Sequence, residues 1–334
     1  GWRCRCAGDC CVLEHGGRLR AAARRYAASG AGDPAAWLDL STGINPCAYP
    51  VAAIDPACWR RLPEDDDGLD EVAAGYYGSA RLLALPGSQA AIQLLPALFR
   101  PVVVACLTPT YEEHTQAWER AGHKLRRLPH APLARALAAA TPIIVLCNPN
   151  NPTGRILPAS DLLDAAERLQ RRGGWLIVDE AFADPEPEHA LAALAGGPQA
   201  PNLIVLRSMG KFFGLAGARV GFVFGARDKL EALREALGPW PLSGPARAAA
   251  RQALADHAWQ AQTRRDLRAA AQRLAALLAP FGEVTGSALF ASLATPLSLA
   301  LFEHLARQAI LTRHFVAHDL LRVGLPGSES EWQR

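Results

Sequence analysis

The sequence predicts an α/β protein whose central sheet is mostly parallel and covered by helices on both faces. Three observations carry this. Short apolar runs recur, and each is continuous rather than alternating. Helical stretches separate them. Several end in polar, turn-forming residues. An alternating strand has one wet face, whereas a continuous apolar run has to be buried on both, as in a parallel sheet packed by crossover helices.

The elements follow in order. Leu82–Leu85 ends in Pro86-Gly87-Ser88 and leads into an apolar helix from about Gln89. Residues 102–107 end in Thr108-Pro109-Thr110-Tyr111 and lead into a helix over 112–121. Ile143–Cys147 ends in Asn148-Pro149-Asn150-Asn151-Pro152, and a helix over 159–172 follows. That helix has Asp161 and Asp164 near its start and arginines at its end, as the helix dipole favours. Residues 175–178 end in Asp179-Glu180, and 203–206 end in Arg207-Ser208. Residues 220–224 come next. From about Ala226 the pattern changes to helices over 228–237 and 246–278, broken by a Gly/Pro-rich stretch at 238–245, then short strands and a helix over 297–308. The expected organisation is a loose Cys-rich tail (1–12), an N-terminal segment joining a small domain (13–40), a large domain (41–237) and a small α+β C-terminal domain (238–334).

Bulk composition narrows the function classes. Half of the 334 residues are hydrophobic and 20% are charged, which excludes a disordered chain. A net charge of +3 is too small to imply nucleic-acid binding, and the basic stretches 123–127 and 168–172 fit solvated helix faces and strand edges. No apolar run is long enough for a transmembrane helix, and no signal peptide is expected. Cys4, Cys6, Cys10 and Cys11 form C-x-C-x3-C-C, which is not a standard zinc spacing, so no metal is expected. Cys106 and Cys147 lie in apolar runs and fit buried small hydrophobes. A cytoplasmic setting is expected.

The chemistry gathers at the strand ends, where open α/β sheets bind ligands. Gly87-Ser88-Gln89 opens a helix and could cradle a phosphate with backbone N–H groups. Asn148–Gly154 puts side-chain amides on a proline-stiffened loop. Asp179 ends an apolar strand, where a carboxylate is costly to bury without a partner. Ser208-Met209-Gly210-Lys211 follows the next strand, with Arg219 eight residues past the lysine. Each feature alone could be a turn or a surface strand end. Together they match pyridoxal phosphate. Its phosphate needs N–H groups, a hydroxyl and a guanidinium; its ring nitrogen needs a carboxylate; its aldehyde needs a lysine. Only three of the 35 basic residues are lysines. Lys124 and Lys229 sit in charged runs, and Lys211 alone follows a strand end.

The ordered set N-P-x-N-P-T-G, D-E-A-F and S-x-G-K-x7-R resembles the fold-type I pyridoxal-phosphate enzymes of the aminotransferase class I/II family, from about residue 13 to the end. Within that family the chain is most similar to the cobalamin-pathway branch, the threonine-phosphate decarboxylases. The segments that carry this are Glu14-His15-Gly16-Gly17, Ser41-Thr42-Gly43-Ile44-Asn45-Pro46, Leu62 to Leu69, and Arg322-Val323-Gly324-Leu325-Pro326-Gly327.

The resemblance implies Lys211 as the lysine that forms the Schiff base and carries the proton. Asp179 is implied as partner of the pyridine nitrogen, Asn151 as partner of the ring hydroxyl, and Tyr111 as the stacking ring. Ser88, Gln89, Ser208 and Arg219 would surround the phosphate. Arg322 would take the substrate carboxylate, a task that suits a planar guanidinium. His15, Gly16 and Asn45 would line the substrate end, and Arg313 would face the substrate phosphate. A homodimer is implied, with the site at its interface. The implied activity is decarboxylation of L-threonine O-3-phosphate to (R)-1-aminopropan-2-ol phosphate. The alternatives are an aminotransferase of the histidinol-phosphate type and a pyridoxal-phosphate-binding protein without turnover. Three departures stand out. Phe182 replaces a Tyr common in the family, Leu62 replaces a Tyr before Pro63, and only eight residues separate Arg313 from Arg322 in a compressed C-terminal region.

Overall fold

The computed structural model describes residues 15–129 and 131–334, so the Cys4–Cys11 cluster lies outside the described residues. In chain order the strands are β1 Leu38–Asp39, β2 Leu82–Leu85, β3 Val103–Thr108, β4 Lys124–Pro129, β5 Ile143–Cys147, β6 Trp175–Asp179, β7 Leu203–Ser208 and β8 Gly221–Phe224. They continue with β9 Glu283–Ser287, β10 Phe290–Ala294, β11 Ile310–Leu311, β12 Arg313–Phe315 and β13 Leu320–Gly324. Seven of them form one sheet in the order β2-β8-β7-β6-β5-β3-β4. Neighbours from β4 to β7 are parallel, while β8 is antiparallel to both β7 and β2.

The continuous apolar runs are explained by burial on both faces. Successive side chains of a strand point to opposite sides. Ile144, Leu146, Leu176, Val178, Leu203 and Val205 enter one apolar cluster. Their neighbours Ile143, Val145, Ile177, Ile204 and Leu206 enter the other. The basic run that begins at His123 supplies the edge strand β4. Charge on an edge strand discourages pairing with a foreign chain. β6 and β7 run further than the apolar pattern indicates, so Asp179 and Ser208 are their last residues. Chain order reverses between β3 and β5, because β3 is followed outward by β4 and β5 is followed in the opposite direction by β6 and β7. This is the switch point at which such sheets open a crevice.

A second, antiparallel sheet has the order β12-β13-β10-β9. The N-terminal segment joins it at the side. β1 pairs with β11, and Ala22, Ala23, Tyr26 and Trp37 pack with Ala306, Ala309 and Leu311. The boundary expected at residue 238 does not match the packing. Helix Gly244–Ala255 lies along helix Leu69–Tyr77, and its buried Arg247 donates Nη2 to Asp67 Oδ1 at 2.6 Å. A buried guanidinium needs that carboxylate, so this helix stays with the seven-stranded sheet. Pro245 sits in its first turn, where a missing N–H does no harm, so the helix starts inside the stretch expected to break it. The chain then breaks at Asp256, whose side chain caps the long helix His257–Leu278 through Trp259 N. Among the described residues no helix is long and apolar enough to cross a membrane.

The loop after β5 is clamped between the two sheets. Ser292 Oγ on β10 donates to Pro152 O at 2.5 Å. Gly154 has φ +70°, and a β-carbon there would fall 2.1 Å from the carbonyl carbon of Gly286 on β9. Gly154→Ala is therefore expected to destabilise the protein by about 2–4 kcal/mol, seen as a lower denaturant midpoint.

Candidate active site

The loops after β3, β5, β6 and β7 enclose a cavity of about 550 Å³ with the Gly87 turn, the N-terminal segment and β12–β13. That is a typical size for a cofactor site. Every site residue expected from the sequence lines it except Asn45. Asn45 is buried instead beside the lysine loop. Its backbone N donates to Lys211 O at 3.0 Å, its Nδ2 donates to Phe212 O at 2.9 Å, and its Oδ1 accepts from Cys47 N. With all these groups engaged, it shapes the loop that carries Lys211 rather than facing a ligand.

At one end Gly87 turns with φ +75°, and Ser88 begins the helix Ser88–Leu94. A β-carbon on Gly87 would fall 2.8 Å from Arg219 Nη2. Glycine is thus what lets the guanidinium close on the Ser88 turn. Arg219, itself at φ +54°, is steadied by donating Nη1 to Ala216 O at 3.0 Å. N–H groups, the Ser88 and Ser208 hydroxyls and a guanidinium are there brought to one end of the cavity, a set that could cradle a phosphate.

At the floor Asp179 is buried, and its Oδ1 accepts from Ala181 N at 3.0 Å. Its Oδ2 accepts from His114 Nε2 at 2.9 Å. Burial opposes a charge on His114, but the hydrogen bond to Asp179 and the nearby Cys147 outweigh it and hold the imidazole pKa up at about 10. The candidate ligand atoms of His114, Cys147 and Asp179 lie within 4.8 Å of one another, a spacing a metal ion could bridge. A metal ion there would first have to displace that firmly held proton. His114 was invisible in the sequence, since one histidine on a charged helix reads as surface.

Lys211 projects into the cavity, with Nζ 3.5 Å from Thr42 O and 5.3 Å from the centre of the Phe182 ring. Burial and then the Arg322 charge lower its pKa to about 8, with Arg219 adding to this and Asp179 opposing it. Tyr111 forms one wall, its hydroxyl donating to Gln89 Oε1 at 3.3 Å. Burial, and after it the Glu113 charge, raises the pKa of that phenol. Arg322 donates Nη1 to Asn151 Oδ1 at 2.5 Å and Nη2 to Ser41 O at 2.6 Å. The Asn151 amide N–H groups stay available to a ring oxygen. The Arg322 guanidinium carbon is 5.3 Å from the centre of the Phe290 ring and 5.7 Å from that of Phe315. Burial, then Arg313, lowers its pKa to about 10.

A cavity with a phosphate cradle at one end, a buried carboxylate at the floor and a deprotonatable lysine between them fits pyridoxal phosphate. Lys211 supports the fit, since its amine has only a long 3.5 Å hydrogen bond to Thr42 O and so is weakly held and open to an aldehyde. The site and fold define a pyridoxal-phosphate-dependent enzyme of fold-type I. Residues 66–333 match the family described as aminotransferase class I and II. The chain belongs to that family. It is 52% identical over 325 residues to a threonine-phosphate decarboxylase from Pseudomonas aeruginosa, covering 97% of this chain and 96% of that protein. It is 42% identical to a threonine-phosphate decarboxylase from a Sinorhizobium species, with 94% and 93% covered. The fold matches the crystal structure of histidinol-phosphate aminotransferase from Sinorhizobium meliloti in complex with pyridoxal-5'-phosphate. The TM-score is 0.80 at 19% identity, covering 97% of this chain and 93% of that one.

The depressed Lys211 pKa sets a pH dependence. A neutral amine is the nucleophile, so capture of added pyridoxal phosphate by cofactor-free protein should accelerate as pH rises and level off above about pH 8. Stopped-flow absorbance between pH 6.5 and 10 checks this. A midpoint near the ordinary lysine value of 10.5 would remove the argument for a desolvated Lys211.

Proposed function

We propose that this chain decarboxylates L-threonine O-3-phosphate to (R)-1-aminopropan-2-ol phosphate and CO2, with pyridoxal phosphate held by Ser88, Gln89, Tyr111, Asn151, Asp179, Ser208, Lys211 and Arg219. One observation carries the substrate class. Arg313 and Arg322 stand directly opposite each other across β12 and β13, and both line the cavity. Like charges placed directly across a strand pair destabilise it. Two anionic groups on one small molecule, a carboxylate and a phosphate, would relieve that repulsion. Near-complete matches to two proteins named threonine-phosphate decarboxylase support the same substrate and reaction.

The chain's residues then have definite tasks. Arg322 takes the carboxylate, and Arg313 takes the phosphate. His15 and Gly16 line the same end. Bound pyridoxal phosphate supplies an aldehyde for the substrate amine and a protonated ring that withdraws the electron pair left as CO2 departs. Asp179, with His114 behind it, places a carboxylate at the cavity floor where a ring proton needs stabilising. Lys211 Nζ, with a pKa of about 8, holds a proton weakly enough to return it to the reacting carbon near neutral pH. Phe182, beside Lys211, adds no hydroxyl to compete for that proton.

A homodimer and a cytoplasmic setting belong to the same proposal. Trp59, Leu62 and Trp240 are exposed by 72%, 63% and 55%. The Cys58 and Gly244 backbones touch, which brings the segments carrying Trp59 and Trp240 together. Exposed aromatic patches mark contact surfaces.

Purified protein with pyridoxal phosphate should release CO2 and aminopropanol phosphate from threonine phosphate. Arg313→Ala should raise KM about 10- to 100-fold, the loss of a charged hydrogen-bond partner. Turnover of histidinol phosphate with 2-oxoglutarate, and no CO2, would overturn the assignment. Trp59→Glu with Trp240→Glu should shift the protein toward monomer in sedimentation.

A further inference from the structure

The stretch His15-Gly16-Gly17 lies against the cavity and is fastened on two sides. On one side Gly17 N donates to Ser41 Oγ at 2.7 Å. Gly16 is so close that a β-carbon on it would fall 2.5 Å from Ser41 O. That same carbonyl accepts from Arg322 Nη2. On the other side His15 Nε2 lies 2.8 Å from Glu113 Oε1. A carboxylate oxygen can only accept, so the imidazole donates.

Glu113 has further donors. Its Oε2 accepts from Gln89 Nε2 at 2.8 Å and from Gln93 Nε2 at 3.0 Å. Gln89 in turn accepts the Tyr111 hydroxyl. The side chain of Glu113 is 14% exposed and that of His15 is 39% exposed. A surface carboxylate ordinarily points its oxygens at water. This one gathers three side-chain donors, two from helix Ser88–Leu94 and one from the N-terminal stretch.

We propose that Glu113 is a positioning residue, whose carboxylate latches the His15–Gly17 stretch onto the cavity in register with Gln89 and Tyr111. A partly exposed pair of this kind shifts an equilibrium by only about twofold to fivefold. The stretch therefore opens readily for substrate entry and closes when a bound substrate adds its own contacts. The stretch runs from Arg322, which takes the carboxylate, to Tyr111 at the cofactor wall. Closure therefore links the two ends of the cavity.

The latch itself depends only on the cavity being the active site; its kinetic effect rests on the proposed substrate. Holoenzyme carrying His15→Ala, Glu113→Ala or both is compared with Glu113→Gln, which keeps an acceptor oxygen. Each alanine variant should raise KM for threonine phosphate about fivefold, with a smaller fall in kcat. The double variant should be no worse than either single one, and Glu113→Gln should recover most of the loss. Independent, multiplying effects would overturn the latch. Exchange of the Gly17 amide in substrate-free holoenzyme should be about fivefold faster in both alanine variants, and unchanged exchange would also overturn it. Faster exchange with no turnover of threonine phosphate would sink the substrate assignment and leave the latch standing.

Discussion

A carboxylate buried at the end of a central parallel strand constrains most of what surrounds it. Asp179 has almost no contact with water, and such a group is tolerable only with charge and hydrogen bonds close by. His114 provides both. To reach Asp179, helix Glu112–Arg120 has to bury the face carrying Ala117 and Trp118 in the core. Once that face is fixed, Tyr111 and Glu113 are fixed with it, one at the cavity wall and the other at its rim. One buried charge thus sets the position of three other side chains.

Asp179 and its neighbour Glu180 show how the sheet separates two electrostatic tasks. Successive residues of a strand face opposite ways. On the far side Glu180 and Asp184 share the buried Arg207 at 2.9 Å and 2.5 Å, so the excess there is negative. On the cavity side it is positive. Lys211, Arg219, Arg313 and Arg322 line the cavity with Asp179, Glu112 and Glu113. Burial, and after it a neighbouring guanidinium, lowers the pKa of both groups, Arg322 acting on Lys211 and Arg313 acting on Arg322. A site so arranged favours anions, and it leaves one amine able to lose its proton near neutral pH.

Much of this was legible before folding. Continuous apolar runs disclosed strands buried on both faces, because burial on two sides leaves no room for polar alternation. Polar residues at strand ends disclosed the cavity, and the shortage of lysines isolated Lys211. Other parts were hidden. A lone histidine on a charged helix carries no mark of burial, so His114 was missed, and Glu113 resembled any solvated acid. Asn45 sat in a stretch resembling the family's substrate end, yet its bonds to the lysine loop turned it inward. The helix Gly244–Ala255 begins inside a Gly/Pro-rich stretch that suggested a boundary, and its packing along helix Leu69–Tyr77 and the Arg247–Asp67 pair show which sheet it joins.

The sequence by itself determined that polar groups gather at strand ends, since strand-then-turn patterns are local and need no reference to the rest of the chain. Only the tertiary structure decided which groups meet. Arg313 faces Arg322 because of the register of an antiparallel pair. His15 reaches Glu113 across 98 positions of sequence, and His114 reaches Asp179 across 65. Contacts of that separation are set by how helices and sheets pack, and local patterns carry no record of them.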